Sequence, residues 1–174
     1  MRILSKLEQW RSERLLLTKI NSADIVKNST FLNQVVTVLS EKVVADLPPH
    51  WHGIKTIKDA EKWLAQQCQE GALYLISSSN SGNEWVAEEP EQVVGFVVLY
   101  ESDENNSAAT IHLGYVIAET FWGKGVATEV LRSLIFELSE LEISIRILAG
   151  VDASNLASRR VLEKAGFVLT DENP

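Results

Sequence analysis

The stretch Trp122-Gly123-Lys124-Gly125-Val126-Ala127-Thr128 constrains the fold more than any other part of the chain. It follows an apolar, strand-like run over residues 110–118 and opens a long helical pattern. In that pattern Ala127, Val130, Leu131, Leu134, Ile135, Leu138 and Leu141 form one apolar stripe. A strand that turns through glycines into such a helix calls for a sheet on which the stripe can pack. Glycines alternating with small or cationic residues at a helix start also leave several backbone N–H groups uncovered. That arrangement suits a pyrophosphate held without a metal.

Two well-known phosphate loops do not fit. A Walker loop needs Gly, four residues, then Gly-Lys-Ser/Thr, and here Lys124 lies between the glycines. A dinucleotide fingerprint needs a third Gly and an acidic residue about twenty positions on, and Ala127 stands too early to be that Gly. A bare Gly-Lys-Gly turn is equally compatible with a structural role.

The 174 residues suit one domain, taken as 13–174, with residues 1–12 as an extension before the first element. Residues 14–18 read as a short strand, and Asn21-Ser22-Ala23-Asp24 as a capped helix start. Apolar residues at Ile25, Val26, Leu32, Val35, Val36 and Leu39 follow at helical spacing, until residues 47–53 break it. Thr56-Ile57-Lys58-Asp59 resembles a capping box that starts a helix through Trp63 and Leu64, with Gly71 placed to stop it. Residues 73–76 and 92–100 read as strands of a long hairpin with a polar tip over 77–83, and Gly95 marks a bulge or close backbone approach. A turn over 103–107 leads to the 110–118 strand. Residues 143–151 read as a buried strand, Ser154 or Asn155 as the cap of a last helix, and 167–169 as a final strand. The expected class is α/β: a mixed sheet with helices on both faces.

The net charge of −8 argues against a nucleic-acid partner and suits a cationic one, such as an amine or a basic protein tail. No apolar run is long enough to span a membrane. The lone Cys68 has no internal disulfide partner, which points to a reducing cytoplasm, and it reads as a core or boundary residue. His50, Trp51 and His52 offer two ring nitrogens but no third metal ligand nearby, so no metal is expected.

A second constellation, Asn155-Leu156-Ala157-Ser158-Arg159-Arg160-Val161-Leu162-Glu163-Lys164-Ala165-Gly166-Phe167, lies about thirty residues beyond the glycine turn. The pair resembles the GNAT superfamily of acyl-CoA-dependent N-acetyltransferases. It is most similar to the branch that acetylates the N-termini of ribosomal proteins. Gly114-Tyr115, the Trp122 to Glu129 run, Ser12-Glu13-Arg14-Leu15-Leu16-Leu17 and Asp59-Ala60-Glu61-Lys62-Trp63-Leu64 carry the same resemblance, which covers residues 12–169.

The resemblance implies a mostly antiparallel sheet whose strands splay at an acetyl-CoA site. It places the pyrophosphate on Gly123, Lys124, Gly125, Val126, Ala127 and Thr128, with Trp122 in place of the usual Gln or Arg. The pantetheine arm would pair with backbone at Tyr115, Val116 and Ile117, and Asn155 would contact it or support the gap. The Val116 N–H would hold the oxyanion of the tetrahedral intermediate. Lys124, Arg159 and Arg160 would meet nucleotide phosphates, the alternative for the arginines being a solvated helix face. His112 falls where many relatives carry a Glu base, the alternative being a structural histidine, and Asp152 is a weaker candidate. Leu162 stands where many relatives carry a Tyr acid, so Ser158 becomes the expected proton donor to the thiolate.

The implied activity is acetyl transfer from acetyl-CoA to a primary amine, most simply a protein N-terminal α-amine. That amine has a pKa near ~8 against ~10.4 for lysine, so a weak base suffices. A small amine (a polyamine or an aminoglycoside) and a non-catalytic CoA-binding module are the rivals. The family continues past Gly166-Phe167 into a last hairpin strand that is not evident here. A second copy of the chain, giving a homodimer, or the N-terminal extension is the expected occupant of that place.

Overall fold

Six strands form one sheet in the order of the chain, β1-β2-β3-β4-β5-β6. The computed structural model describes residues 3–21, 28–78, 92–102 and 109–170. Strands β1 (Gln9–Arg11), β2 (Leu15–Ile20), β3 (Ala72–Ser78), β4 (Val93–Ser102) and β5 (Ala109–Ile117) are successively antiparallel. Strand β6 (Ile145–Leu148) is parallel to β5 and forms the other edge. Helices α1 (Ser29–Val38), α2 (Glu41–Val44) and α3 (Ile57–Glu70) cover one face, and α4 (Val126–Ser139) and α5 (Leu156–Lys164) cover the other.

Both faces are covered, so the central strands are apolar throughout yet still alternate. Tyr74, Ile76, Val97 and Leu99 pack toward α4, whereas Leu73, Leu75, Phe96 and Val98 pack toward α1 and α3. The helices start where local chemistry predicts. Thr56 Oγ1 accepts the Asp59 N–H at 3.2 Å while the Asp59 carboxylate accepts the Thr56 N–H at 2.9 Å, a closed capping box. Gly71 ends α3 in an extended rather than left-handed conformation. Asn155, not Ser154, caps α5, accepting from the Ser158 N–H. The expected helix start at residues 22–24, the hairpin tip and the 103–107 turn lie outside the described residues, apart from Ser77 and Ser78, which belong to β3.

Four expectations are corrected. Residues 1–12 are not simply an extension: Ile3, Leu4, Leu7 and Trp10 are buried, and 9–11 form β1. Strand β1 lies at the sheet edge opposite β6, so the N-terminal segment does not fill the place beside β6. The strand expected over 143–151 shrinks to β6, only partly buried because it pairs on one side alone. Residues 167–169 form no strand, and Val168 and Leu169 are exposed. Apolar composition suggested burial there, but among the described residues no strand pairs with it.

Gly95 holds β4 and β5 at close approach. The register slips between Ile76 and Ser77 opposite it, and a Cβ at Gly95 would sit 2.1 Å from the Val116 carbonyl oxygen. That neighbour is backbone and cannot swing aside. Gly95→Ala is therefore expected to destabilise the protein by about 3 kcal/mol, read as a lower denaturant midpoint with an unchanged slope.

Candidate functional site

Strand β5 loses its second neighbour halfway along. Its pairing with β6 runs from Ala109↔Ile145 to His112↔Leu148 and stops, while β5 continues to Ile117. The open gap therefore lies beside Leu113 to Ile117. The phase of the ladder decides which groups face it. The Ala118 N–H bonds to the Val94 carbonyl at 2.8 Å, and bonded pairs recur every second residue, so Val116 is bonded to Phe96. On the other side, the Ala109 N–H reaches the Ser144 carbonyl at 3.2 Å, so odd-numbered residues of β5 face the gap.

This corrects the expected role of Val116. Its N–H and carbonyl belong to the β4 ladder, and the donors free to act in the gap are those of Tyr115 and Ile117. Only every second residue of a strand turns its N–H to a given edge, and the register fixes which ones these are. The Ile117 carbonyl is already taken, at 2.7 Å, by the Trp122 indole N–H.

The glycine turn closes the wide end of the gap. Gly123 and Gly125 have φ of 70° and 74°, the left-handed region that favours glycine. Gly125 is the N-cap of α4 and no side chain caps the helix, so the first N–H groups, from Val126 to Thr128, remain uncovered. The Val126 side chain is buried, so this residue offers main chain alone. Lys124 Nζ lies 5.7 Å from the centre of the Phe121 ring. Arg159 on α5 is partly buried, and no carboxylate among the described residues pairs with Lys124, Arg159 or Arg160.

Sequence reasoning did not foresee the clamp beneath this turn. Glu129 accepts from Ser12 Oγ at 2.6 Å, the Arg14 N–H at 2.8 Å and Arg14 Nε at 2.7 Å. Arg14 Nη2 also reaches the Lys124 carbonyl at 3.1 Å. The Ser12-Glu13-Arg14 corner thereby fixes the turn's backbone from below. Both stretches were visible in the sequence, but their contact spans more than a hundred residues. Lys42 pairs with Glu119 and lies over the Trp122 ring, tying α2 to the other side of the turn.

A cleft of about 320 Å³ opens beside the gap. Trp51, Tyr100, His112, Tyr115, Asn155 and Ser158 are among its lining residues. His112 is half-buried, with its Nε2 3.2 Å from Ser102 Oγ. Tyr115 Oη and Ser158 Oγ are 2.8 Å apart. Burial raises the Tyr115 phenol above its ordinary range, offset in part by the Ser158 hydrogen bond. Burial and the Glu70 charge push Tyr100 up to about 12. Asp152 accepts from the Ser154 hydroxyl and N–H, which hold its carboxyl below the usual value and commit it to the turn rather than to proton transfer. Asp46, Glu70 and Asp152 line the cleft and no Lys or Arg does. His52 Nε2 is 2.8 Å from the Leu47 carbonyl and His50 packs on Trp51. Among the described residues, no three His, Cys, Asp or Glu side chains converge as a metal site would require.

Burial alone would raise the Glu129 carboxyl, but the hydrogen bonds from Ser12 and Arg14, together with the Arg14 charge, outweigh it and hold the pKa below the ordinary value. A depressed folded pKa gives stability that is full above the unfolded value of ~4.3 and lost as pH falls through the folded one. Glu129→Gln is expected to cost about 1 kcal/mol at neutral pH. In denaturant melts, the difference from wild type should shrink as pH falls through the depressed folded pKa, below the unfolded value.

Residues 14–168 match the family model described as an acetyltransferase (GNAT) domain. The Bacillus subtilis protein YjcK, named as a probable N-acetyltransferase, is 38% identical over 44% of this chain and 42% of its own length. In a second relative from that organism the aligned stretch is 39% of the relative's length, so the alignments span less than half of these curated relatives. Among solved structures, RimL, a ribosomal L7/L12 α-N-protein acetyltransferase in complex with coenzyme A, superposes with a TM-score of 0.68. It is 16% identical, over 94% of this chain and 85% of that one. The aminoglycoside acetyltransferase AAC(6')-Ib in complex with coenzyme A gives a TM-score of 0.59 at 20% identity, over 88% and 84%. At these identities the structures establish a shared fold. The family model covers most of the sequence, the splayed sheet is the expected one, and the chain belongs to the GNAT acetyltransferase family.

Proposed function

We propose that this chain transfers an acetyl group from acetyl-CoA to a primary amine, and that the amine is the free N-terminus of a basic protein, ribosomal proteins included. The observation that carries the reading is the pairing of two unlike compartments. One is a strand gap ending in an uncapped helix N-terminus with nearby cations. The other is a cleft bearing Asp46, Glu70 and Asp152 without a lysine or arginine. The first suits a pyrophosphate-bearing donor. The second suits an acceptor that is itself cationic beyond its reacting nitrogen.

In this reading the Tyr115 or Ile117 N–H receives the thioester oxygen as it becomes an oxyanion. His112, on the cleft wall, takes the proton of the attacking amine. The N–C bond forms, the C–S bond breaks, and Ser158 faces the departing sulfur. The six-stranded sheet, with β1 and the Ser12 corner included, acts as one catalytic domain, and a reducing cytoplasm is the setting for the lone Cys68. A small polycationic amine suits the same acidic cleft, and the fold likeness to AAC(6')-Ib keeps that reading as the second one.

The test is acetyl-CoA-dependent thiol release with two probes, a free-N-terminus peptide rich in lysine and arginine, and spermidine. The peptide is expected to give the higher kcat/KM, and acetylation of its N-terminus should abolish turnover. Faster turnover of spermidine selects the second reading, and release with neither leaves only CoA binding. His112→Gln is expected to lower kcat at least tenfold, as for loss of a general base, with the acetyl-CoA KM unchanged.

A further inference from the structure

The cleft contains a hydroxyl pair whose contact neither motif predicts by itself. Tyr115 Oη on β5 and Ser158 Oγ on α5 meet at 2.8 Å, and both residues line the cleft. They are 43 residues apart in the chain, so tertiary structure makes this contact. Each side is held in place independently. Asn155 Oδ1 accepts the Ser158 N–H at 2.9 Å and fixes the first turn of α5. The Tyr115 ring packs against the buried core beneath α4 and α5. Leu162, one turn beyond Ser158, is apolar and buried, so it offers no donor there.

A phenol is the stronger hydrogen-bond donor of the two, and a serine hydroxyl carries one proton and two lone pairs. The geometry allows either hydroxyl to donate, and the greater acidity of a phenol favours Tyr115 Oη–H as donor and Ser158 Oγ as acceptor. Burial raises the Tyr115 pKa, so the phenol keeps its proton at neutral pH and remains able to donate. With one lone pair of Ser158 occupied by Tyr115, its own proton is free to turn to the cleft.

We infer that Tyr115 is a positioning residue whose hydroxyl holds Ser158 Oγ as an acceptor and aims the Ser158 proton at the leaving sulfur. This rests on the acetyl-transfer reading above. The amine nitrogen forms the bond to the acetyl carbon, the C–S bond breaks, and its electron pair stays on sulfur. The Ser158 O–H stabilises that thiolate by a hydrogen bond. The amine proton passes to His112 and on to water, and the thiolate takes its proton from water. Neither Tyr115 nor Ser158 changes its protonation state, and the proton count balances.

The experiment is a double-mutant cycle on thiol release, with acetyl-CoA and whichever of the lysine- and arginine-rich peptide or spermidine is turned over faster. Tyr115→Phe is expected to lower kcat about tenfold, a modest share of what a full oxyanion donor supplies, with the acetyl-CoA KM and melting temperature nearly unchanged. In a Ser158→Ala background the same substitution should have no further effect, because Tyr115 acts through Ser158. An equal loss in both backgrounds, a change in KM alone, or no loss overturns the inference. Tyr115→His, which retains a ring donor, guards against a packing artefact: it should keep more activity than Tyr115→Phe, and an equal loss overturns the donor role. Wild-type turnover with none of these effects rejects the inference alone. No wild-type turnover with either probe rejects the acetyl-transfer reading, and the inference with it.

Discussion

Beyond His112, strand β5 has β4 as its only strand neighbour among the described residues, and every other feature of the site answers to that fact. Open main chain in a sheet interior is costly, about 1–3 kcal/mol for each polar group left buried and unpaired. The fold limits the cost in three ways. The gap opens into a cleft where water or ligand reaches the backbone. The Ile117 carbonyl is satisfied by the Trp122 indole. The other edge of β5 is held tightly, since Gly95 lets β4 approach closer than any side chain would permit. The splay is stable because the strand is overdetermined on one side and left free on the other.

The turn at the end of the gap needs similar support. Two left-handed glycines on either side of Lys124 give a backbone with little intrinsic preference for one conformation. The Glu129 clamp supplies that preference from outside. It reaches the turn through α4, which starts at the turn, and through Arg14, which bonds to the Lys124 carbonyl. The N-terminal corner of the chain is thus a structural part of the donor site although it touches neither the gap nor the cleft.

What could be read in the sequence divides along the same line. The capping box at Thr56 and Asp59 and the apolar stripe of α4 are local patterns, and both appear as expected. Gly95 was visible as an anomaly inside a strand, and its physical reason is the Val116 carbonyl. Features that depend on a partner were not legible. Residues 167–169 are as apolar as a strand but have no neighbour to pair with. Residues 9–11 form a strand because β2 is there to receive them. The choice between Val116 and its neighbours as backbone donor turned on the phase of the β4–β5 ladder, and no periodicity within β5 fixes that phase. The glycine turn, Asn155 and Ser158 were readable as motifs, while the Tyr115–Ser158 contact needed two elements brought together.

Charge separates the two ends of the site. The chain is acidic overall, with a net charge of −8, an unfavourable background for a polyanionic donor. Near the turn, however, Glu119 is matched by Lys42 and Glu129 by Arg14. The positive end of α4 and the unpaired Lys124 therefore keep their local field. In the cleft the balance is reversed, since Asp46, Glu70 and Asp152 form no ion pair among the described residues. Screening over ~8 Å at physiological salt confines both fields to their own ends. An anionic donor and a cationic acceptor can then be favoured side by side on one acidic protein. Selection follows from which carboxylates are neutralised, and net charge alone does not reveal it.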